Sequence, residues 1–494
     1  MLERMLSFYI FVFVSFTAVV FQCDSAPIVY TITYQQYTTV QIGWTQQQVT
    51  QNIGSAGNLV SQSGTGNTAI TIIKYTGSQS PLAVATFLFQ GGILLSKAQI
   101  GLDTTVYTIT LAQYTAIQTD WTRDQVTKLV GSAGCNVSEA GTGNIAVIIV
   151  QYKAAGTTFG IVSLGFVGGK IVSKFEVGFA STINNKINLL QYNTIQTGWT
   201  QQQVTTLLGG SGTIVSQSGT QGSPYQITIV QYVGSQSSLT AVTFLFQGGI
   251  LSSKGQIGLD TGIYTMTYQQ FTTIEIGWTR DQVTNVVGSA GCNVSEAGSG
   301  STAVIIVQFT AAGATFGNAD LTFINGKLTT KTGIGYFLAI SNKITLQQYS
   351  TIQIGWTQQQ VTTLLGGSGT LISQSGVQGS QYQITMVQYS GAVSSSALAL
   401  ITFQGGIVYG KTQANLDTGV YMITQQQYTS LQIGWTRDQV TQFIGNAGNV
   451  ASEAGTGNVA AVSVQYKVVG TVIGTVNLIF SGGKLYIKTG FGFK

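Results

Sequence analysis

The chain has no histidine, and only 7% of its 494 residues are charged. Histidine is the most frequent general base and metal ligand in proteins, so its absence argues against Ser-His-Asp and Cys-His enzymes. The net charge of +5 is spread thinly, without a basic run or stripe. We therefore predict a protein without enzymatic activity, without a cofactor and without a nucleic acid partner.

The low charge also predicts the character of the surface. Ordinary soluble domains have roughly 25% charged residues, whereas this surface must be formed mainly by Gln, Thr, Ser, Asn and Gly. Such a surface is hydrated but repels copies of itself only weakly. It favours self-association or a matrix setting.

Residues 1–26 are predicted to be a signal peptide. Residues 6–21 are mostly apolar, the run is short for a membrane span, and small or polar residues follow it. Cleavage there predicts a secreted, extracellular chain that has no membrane contact once the signal is removed. An uncleaved N-terminal anchor is the alternative.

Two of the three cysteines remain after the signal peptide, Cys135 and Cys292, each within the sequence GSAGCNVSEAG. We expect both to be free, although a bridge stays open if their Cα atoms lie within about 7 Å. The next residues, Asn136 and Asn293, begin Asn-x-Ser sequons and are possible glycosylation sites.

The tryptophans reveal an internal repeat. Their spacings are 77, 78, 79, 78 and 79 residues. The six are Trp44, Trp121, Trp199, Trp278, Trp356 and Trp435. A fixed period over nearly the whole mature chain indicates a tandem array, with these tryptophans as its structural signature.

The units alternate between two types. Trp44 is followed by Thr-Gln-Gln-Gln-Val and Trp121 by Thr-Arg-Asp-Gln-Val, and the alternation continues to the end of the chain. The duplicated segment is therefore a pair of units. We predict three two-repeat domains, residues 27–182, 183–340 and 341–494.

The sequence after each tryptophan predicts the start of a short helix. Thr45 is a favourable N-cap and Gln48 follows three positions later, which is a capping box. Trp44 and Val49 occupy the positions of a hydrophobic staple, and Gly54 can end the helix. A helix of about eight residues is marginal alone, so it must pack against another element.

Strand patterns provide that element. In unit 1 the segments NLVSQ, TAITIIKY, AVATFLFQ and ILLSKAQI are separated by Gly, Ser and Asn, and Gly91-Gly92 predicts a hairpin turn. We predict an α+β fold in which each unit has two short helices packed on a four-stranded antiparallel sheet. The other face of the sheet should be free.

This order of elements resembles the beta-lactamase inhibitory protein family. The motifs are Gly-Trp-Thr-x-x-Gln-Val with a later Gly, and a lysine-ended hairpin such as GGILLSK at residues 91–97 or GKLYIK at residues 483–488. The resemblance covers roughly residue 31 to the C-terminus. It implies sheets that form a concave, aromatic-rich face gripping a partner protein, and a hairpin loop whose acid enters the partner's active site.

Several residues are candidates for partner contact. The loops that match the family's inhibitory loop contain Asn67 and Asn144 but no Asp, so the resemblance implies the architecture and a tendency to bind proteins. Phe87 and Phe89 are expected in the core. The strand tyrosines are candidates if they face outward: Tyr75, Tyr152, Tyr232 and Tyr389.

Two periodic sets of charged residues accompany them. The strand lysines either protect sheet edges or surround a binding site: Lys97, Lys174, Lys254, Lys331, Lys411 and Lys488. Arg123, Arg280 and Arg437 can pair with Glu139, Glu296 and Glu453 of the same units.

The favoured function is a secreted, non-enzymatic binding protein whose six sheet faces recognise a protein or a glycan. Linked weak sites gain apparent affinity through their effective concentration. One alternative is an extracellular structural or adhesive protein, for which low charge and sheet edges are suited. Another is a secreted inhibitor of an enzyme of the beta-lactamase type.

Overall fold

The computed structural model describes residues 30–179, 186–237, 239–314, 316–336 and 343–493. The predicted signal peptide and the predicted domain boundaries, at 182/183 and 340/341, lie outside these residues. Within them, six units repeat one order of elements: a two-residue strand, two short helices and four long strands. The predicted α+β repeat is therefore confirmed.

The short strands pair in parallel with the second long strand of their own unit. They are β1 (Thr31–Ile32), β6 (Thr108–Ile109), β11 (Lys186–Ile187), β16 (Thr265–Met266), β21 (Lys343–Ile344) and β26 (Met422–Ile423).

Two helices follow in each unit. The six-residue helices are α1 (Tyr34–Thr39), α3 (Leu111–Ala116), α5 (Leu189–Thr194), α7 (Tyr268–Thr273), α9 (Leu346–Thr351) and α11 (Gln425–Ser430). The eight-residue helices are α2 (Gln46–Ile53), α4 (Arg123–Val130), α6 (Gln201–Leu208), α8 (Arg280–Val287), α10 (Gln358–Leu365) and α12 (Arg437–Ile444).

Four long antiparallel strands complete each unit. Units 1 and 2 have β2 (Asn58–Ser63), β3 (Ile70–Gly77), β4 (Val84–Gln90), β5 (Ile93–Ile100), β7 (Cys135–Ala140), β8 (Val147–Ala154), β9 (Ile161–Val167) and β10 (Lys170–Val177). Units 3 and 4 have β12 (Thr213–Ser218), β13 (Ile227–Gly234), β14 (Ala241–Gln247), β15 (Ile250–Ile257), β17 (Cys292–Ala297), β18 (Val304–Ala311), β19 (Asn318–Ile324) and β20 (Lys327–Ile334). Units 5 and 6 have β22 (Thr370–Ser375), β23 (Ile384–Gly391), β24 (Leu398–Gln404), β25 (Ile407–Ala414), β27 (Asn449–Ala454), β28 (Ala461–Val468), β29 (Thr475–Ser481) and β30 (Lys484–Phe491).

The predicted helix starts are confirmed. The hydroxyl of Thr45 accepts the backbone N–H of Gln48 at 3.2 Å, and the Gln48 side chain accepts the backbone N–H of Thr45 at 2.8 Å. Gly54 ends the helix with φ of 82°. The backbone carbonyl of Trp44 accepts the N–H of Leu94 at 2.7 Å, which joins the start of α2 to strand β5. The tryptophan therefore connects helix and sheet, as a structural signature residue should.

The predicted arrangement as three two-repeat domains is wrong, because the sheet runs without interruption through all six units. The last strand of each unit pairs antiparallel with the first long strand of the next, as β5 does with β7 and β10 with β12. The final strand returns to the first: Ser61 of β2 lies opposite Thr489 of β30, and Ser63 opposite Ile487. The 24 long strands form a closed ring.

The helices cover one face of this closed sheet. In β3, Ile73 and Tyr75 are buried beneath the helices, whereas Ile72 and Lys74 on the opposite face are half-buried. The buried side chains form six apolar clusters, one in each unit, and the partly buried Leu59 packs against the clusters of both unit 1 and unit 6.

The dimensions of the ring place the helices outside it. At about 4.8 Å per strand, 24 strands give a circumference of about 115 Å and a diameter of about 37 Å. A helix layer about 10 Å inside this wall would leave roughly 50 Å of circumference for twelve helices, each about 10 Å thick. Such crowding would merge the six clusters, but no buried residue belongs to more than one of them. The uncovered face therefore lines a central lumen.

Candidate functional site

The candidate site is the inner face of the ring, formed by the strand residues that point away from the helices. In unit 1 the neighbours across this face are Ile72, Leu88 and Ser96, and the row continues to Ala140 of unit 2. The first three are half-buried rather than buried. The opposite walls of the ring therefore do not pack against each other, and the lumen is open.

The width of the lumen follows from the strand count. Facing sheets pack about 10 Å apart, so side chains occupy about 5 Å on each wall and leave about 27 Å between them. Strands of eight residues span a depth of about 26 Å. This is room for an extended chain, a helix or a pair of helices.

Lysines are concentrated on this inner face. Lys153 lies between the buried residues Tyr152 and Ala154, and Lys170 pairs with Val167, so both point into the lumen. The inner-face lysines are Lys74, Lys153, Lys170, Lys186, Lys327, Lys343, Lys467 and Lys484. Among the described residues, the acid on this face is Asp320, which accepts a hydrogen bond from Gln308 at 2.9 Å. The lumen is therefore electropositive.

Seven of the eight inner-face lysines fall into two groups along the axis, and Lys74, opposite Thr86, lies one row inside the wall. Lys170, Lys327 and Lys484 follow the turn between the third and fourth strands of every second unit, and all three are exposed at one mouth. The second group lies near the other mouth: Lys153, Lys186, Lys343 and Lys467. The rows between the mouths have aliphatic and hydroxyl side chains, Phe175, and one row of glutamines: Gln151, Gln231, Gln308, Gln388 and Gln465.

The six periodic strand lysines point the other way, into the cores. They are only 0 to 4% exposed. Lys97 Nζ donates to the carbonyl of Val40 at 2.7 Å and to that of Tyr37 at 3.2 Å, and lies 4.8 Å from the centre of the Tyr37 ring. Both sequence interpretations, edge protection and a polar border of a binding site, are wrong, because these lysines neutralise the carbonyl end of the first helix.

The junctions between units alternate in charge. Glu139 of unit 2 reaches Lys97 of unit 1 at 3.4 Å, and the same bridge recurs in Lys254–Glu296 and Lys411–Glu453. At the other junctions glutamine stands opposite lysine in the pairs Lys174–Gln217, Lys331–Gln374 and Lys488–Gln62. Burial lowers the pKa of these three lysines to about 8.

The even-unit arginines do not form the expected ion pairs with Glu139 and Glu296. Arg123 donates to Asn136 Oδ1 at 2.6 Å and to the carbonyl of Ala133 at 3.2 Å, while Asn136 Nδ2 donates to Glu139 at 3.1 Å. Arg280 and Asn293 repeat this geometry in unit 4. Both sequon asparagines are therefore half-buried in a strand with their amides bonded, and their glycosylation stays a prediction.

The strand tyrosines do not face outward, which was the condition for their being candidates for partner contact. Tyr75, Tyr152, Tyr232 and Tyr389 are 1, 3, 1 and 1% exposed. Tyr75 packs edge-on against Phe87, and its hydroxyl donates to the carbonyl of Ser55 at 2.9 Å. Phe87 and Phe89 are buried as predicted. These tyrosines leave no surface for a partner.

Asn67 and Asn144 are exposed, as a contact role requires. They lie in single 3-10 turns, Gly66–Thr68 and Gly143–Ile145, between the first two long strands. A Cβ atom on Gly91 would come within 3.0 Å of the Asn67 carbonyl oxygen, so this loop lies against the turn between strands three and four. The two asparagines therefore lie at the mouth that also has Lys170, and their partner contact stays a prediction.

The loops between the second and third strands form the opposite mouth. Four of them expose large apolar side chains at equivalent positions, 61% for Leu82, 89% for Phe159, 90% for Leu239 and 89% for Phe316. Unit 6 exposes Val472, at 99%, one position before the equivalent residue. These apolar tips surround the lumen entrance nearest to Lys153 and Lys467.

The remaining chemistry is sparse. Cys135 and Cys292 are free and half-buried, as expected, and burial raises the pKa of the Cys135 thiol to about 11. Across the described ranges, no group of three or more Cys, Asp or Glu side chains is placed to hold a metal ion. None of the helices in those ranges is long and apolar enough to cross a membrane.

Comparison with known proteins gives one family. The profile described as "Beta-lactamase inhibitor (BLIP)" matches residues 33–154, 114–218, 188–311, 267–355, 345–468 and 432–494. A comparison with curated protein sequences gave no match. Among solved structures, a Streptococcus mutans protein provisionally described as a beta-lactamase inhibitor is 16% identical, covering 30% of this chain and 95% of its own, with a TM-score of 0.26.

Proposed function

Because the chain belongs to the beta-lactamase inhibitor (BLIP) family, we propose that it is a secreted, non-enzymatic protein that binds a protein partner with the inner face of its ring. The observation that supports this most is the uncovered sheet face of all six units, which turns toward one lumen. A face with half-buried aliphatic, hydroxyl and lysine side chains has both the apolar area and the polar groups that protein interfaces use.

The width of the lumen limits what can bind there. A compact domain of about 100 residues has a radius of gyration near 13 Å, and is about 33 Å across. That exceeds the lumen width of about 27 Å. A segment, a helix or a narrow rod can enter, whereas a folded enzyme would be held only at a mouth.

The same geometry bears on the two alternative functions, an adhesive or structural protein and an inhibitor of a beta-lactamase. An adhesive or structural protein that grows by edge pairing needs free strands, and closure leaves the 24 long strands without an edge. Inhibition of a beta-lactamase would depend on a mouth, where the exposed Asn67 and Asn144 lie. A panel of secreted beta-lactamases assayed with the pure mature chain tests this alternative directly.

The proposal is tested by blocking the lumen. Ser253→Cys places a thiol on the inner face of unit 3, and Gln202→Cys places one on its outer helix. Each variant is immobilised, labelled with a polyethylene glycol maleimide, and used to capture proteins from the extracellular fluid of the source organism. We expect proteins captured by the unlabelled chain to be lost after inner labelling and retained after outer labelling. Equal capture by both labelled variants would contradict binding in the lumen.

A further inference from the structure

We propose that the partner is an acidic, elongated protein segment that passes through the lumen, held by lysines at both mouths and by apolar contacts between them. This rests on the proposed function and specifies its partner. The inner face has eight lysines against Asp320 among the described residues. By contrast, the glutamates of the even-unit first strands face the cores beside buried lysines, and the aspartates of the even-unit helices lie outside. Asp103, Asp260 and Asp417 lie in the loops that follow the fourth strands of units 1, 3 and 5.

The segregation of charge is the first observation that supports an acidic partner. Seven of the eight inner lysines are exposed, and Lys74 is half-buried. Like charges concentrated around one cavity repel each other unless a counter-charge enters, and the low-dielectric wall strengthens the field inside. An acidic chain in the lumen relieves this repulsion. The same field attracts such a chain over a distance of about 10 Å at moderate salt.

The position of the lysines along the axis is the second observation. One group marks the mouth with Lys170, Lys327 and Lys484, and the other marks the opposite mouth with Lys153 and Lys467. Between them the wall has aliphatic side chains such as Ile72, Leu88, Ile229 and Leu245. The complementary segment has acidic residues near both ends of a span of about 26 Å and apolar residues between them.

The same distribution disfavours duplex DNA, single-stranded nucleic acid and acidic polysaccharides. A DNA duplex places about 15 phosphates along a depth of about 26 Å, and most would face uncharged wall in the middle rows. Single-stranded nucleic acid needs a run of stacking aromatics. In the middle rows Phe175 lies between Ser163 and Ser216, so it has no aromatic neighbour on the adjoining strands. An acidic polysaccharide would place sugar hydroxyls against Ile72 and Leu88, which desolvates them without an apolar gain.

The test uses the mature chain and defined polymers. Binding of fluorescent poly-L-glutamate is measured by anisotropy at low and moderate salt, beside poly-L-lysine, a short DNA duplex and alginate. We expect poly-L-glutamate to bind, to weaken with salt, and to bind more tightly than DNA or alginate. Binding of DNA or alginate without binding of poly-L-glutamate would overturn the acidic-protein assignment.

Charge-matched variants locate the binding. Lys170→Gln, Lys327→Gln and Lys484→Gln together remove three charges from one mouth. The control, Gln47→Glu, Gln202→Glu and Gln359→Glu, changes the net charge equally on the outer helices, where Asp124, Asp281 and Asp438 occur naturally in the alternate units. We expect about tenfold weaker binding for the first variant and little change for the second.

Equal weakening in both variants would overturn the proposal, since only bulk charge would then matter. The outcome is separable from that of the lumen-blocking experiment. If the natural partner is lost after inner labelling but is bound normally by the lysine variant, the ring binds a protein in its lumen and the acidic character is wrong. If capture is the same with either label, the proposed function itself fails.

Discussion

At the scale of single residues, the buried lysines show how the fold accommodates charge beneath a helix. Lys174 Nζ donates to the carbonyl of Ile117 at 2.6 Å and lies 5.0 Å from the centre of the Tyr114 ring. The carbonyl end of a helix and an aromatic face both attract a cation. They replace only part of the hydration lost, so the pKa of Lys174 falls to about 8.

This shift predicts that stability rises with pH. Lys174, Lys331 and Lys488 have a pKa of about 8 when folded, against about 10.4 when unfolded. Between these values the unfolded chain binds more protons, so the free energy of unfolding increases with pH by roughly 1–3 kcal/mol per lysine. Below about pH 8 the three lysines are charged in both the folded and the unfolded chain, so the full cost of burying their charge lowers the free energy of unfolding.

Urea unfolding at pH 7, 8, 9 and 9.5 measures the rise. The range stops there because burial raises the pKa of tyrosines such as Tyr75, to about 12, and their ionisation in the unfolded chain lowers stability above about pH 10. A free energy of unfolding that stays flat or falls from pH 8 to 9.5 would contradict the assignment.

The alternating junctions allow a matched exchange. Gln217→Glu gives Lys174 the partner that Lys97 has in Glu139, and Glu139→Gln removes that partner. We expect the first change to stabilise the protein at pH 7 and to reduce the increase in its free energy of unfolding between pH 7 and 9.5. The second should destabilise it, by roughly 1–3 kcal/mol, because a buried cation loses its counter-charge. Urea unfolding of both variants at pH 7 and 9.5 measures these changes. If both variants changed the free energy of unfolding at pH 7 in the same direction, the expectation would be contradicted.

At the scale of elements, the short helices depend on their caps. A helix of six or eight residues has little stability of its own, and each of these helices begins with a capping box, for example Thr33 with Gln36 and Thr45 with Gln48. Thr45→Ala should therefore lower the free energy of unfolding by about 1 kcal/mol. Thr45→Ser keeps the hydroxyl and is the control. Equal losses in thermal stability for the two would show that the methyl group, and not the cap, matters.

Local signals explain which elements could be predicted. Thr45, Gln48 and Gly54 fix a helix by contacts within a few residues, and Gly91-Gly92 fixes a turn because both need positive φ, 55° and 79°. The orientation of Tyr75, by contrast, is not determined by its neighbours in sequence. Strand β3 has apolar residues on both faces, and only its pairing with β4, which sets Tyr75 opposite Ala85, determines the buried side.

The inner-face lysines were missed for the same reason. Lys153 and Lys186 are distant in sequence, and the closed sheet brings them to one mouth. One signal was visible: Lys170, Lys327 and Lys484 each follow the turn glycine of every second unit. Its meaning depends on knowing that the ring closes, which no short pattern encodes.

At the scale of the whole molecule, closure can be tested by a cross-link between the chain ends. The hydroxyls of Ser61 and Thr489 lie 3.5 Å apart across the β2–β30 junction. Ser61→Cys with Thr489→Cys should therefore form a disulfide under mild oxidation, seen as a mobility change on a non-reducing gel. Ser61→Cys with Thr332→Cys is the control, since Thr332 faces Ser373 at another junction. An open array would give no bond in either.

The junction that closes the ring is built like the internal junctions, so proteins of this architecture can differ in their number of repeat pairs. Each unit touches only the unit before and the unit after it, so a gene that gained or lost one duplicated pair could still join its ends. The opening would then change in steps, because eight strands correspond to about 38 Å of circumference and hence about 12 Å of bore. The number of repeat pairs would therefore set the thickness of the molecule that can pass through the ring.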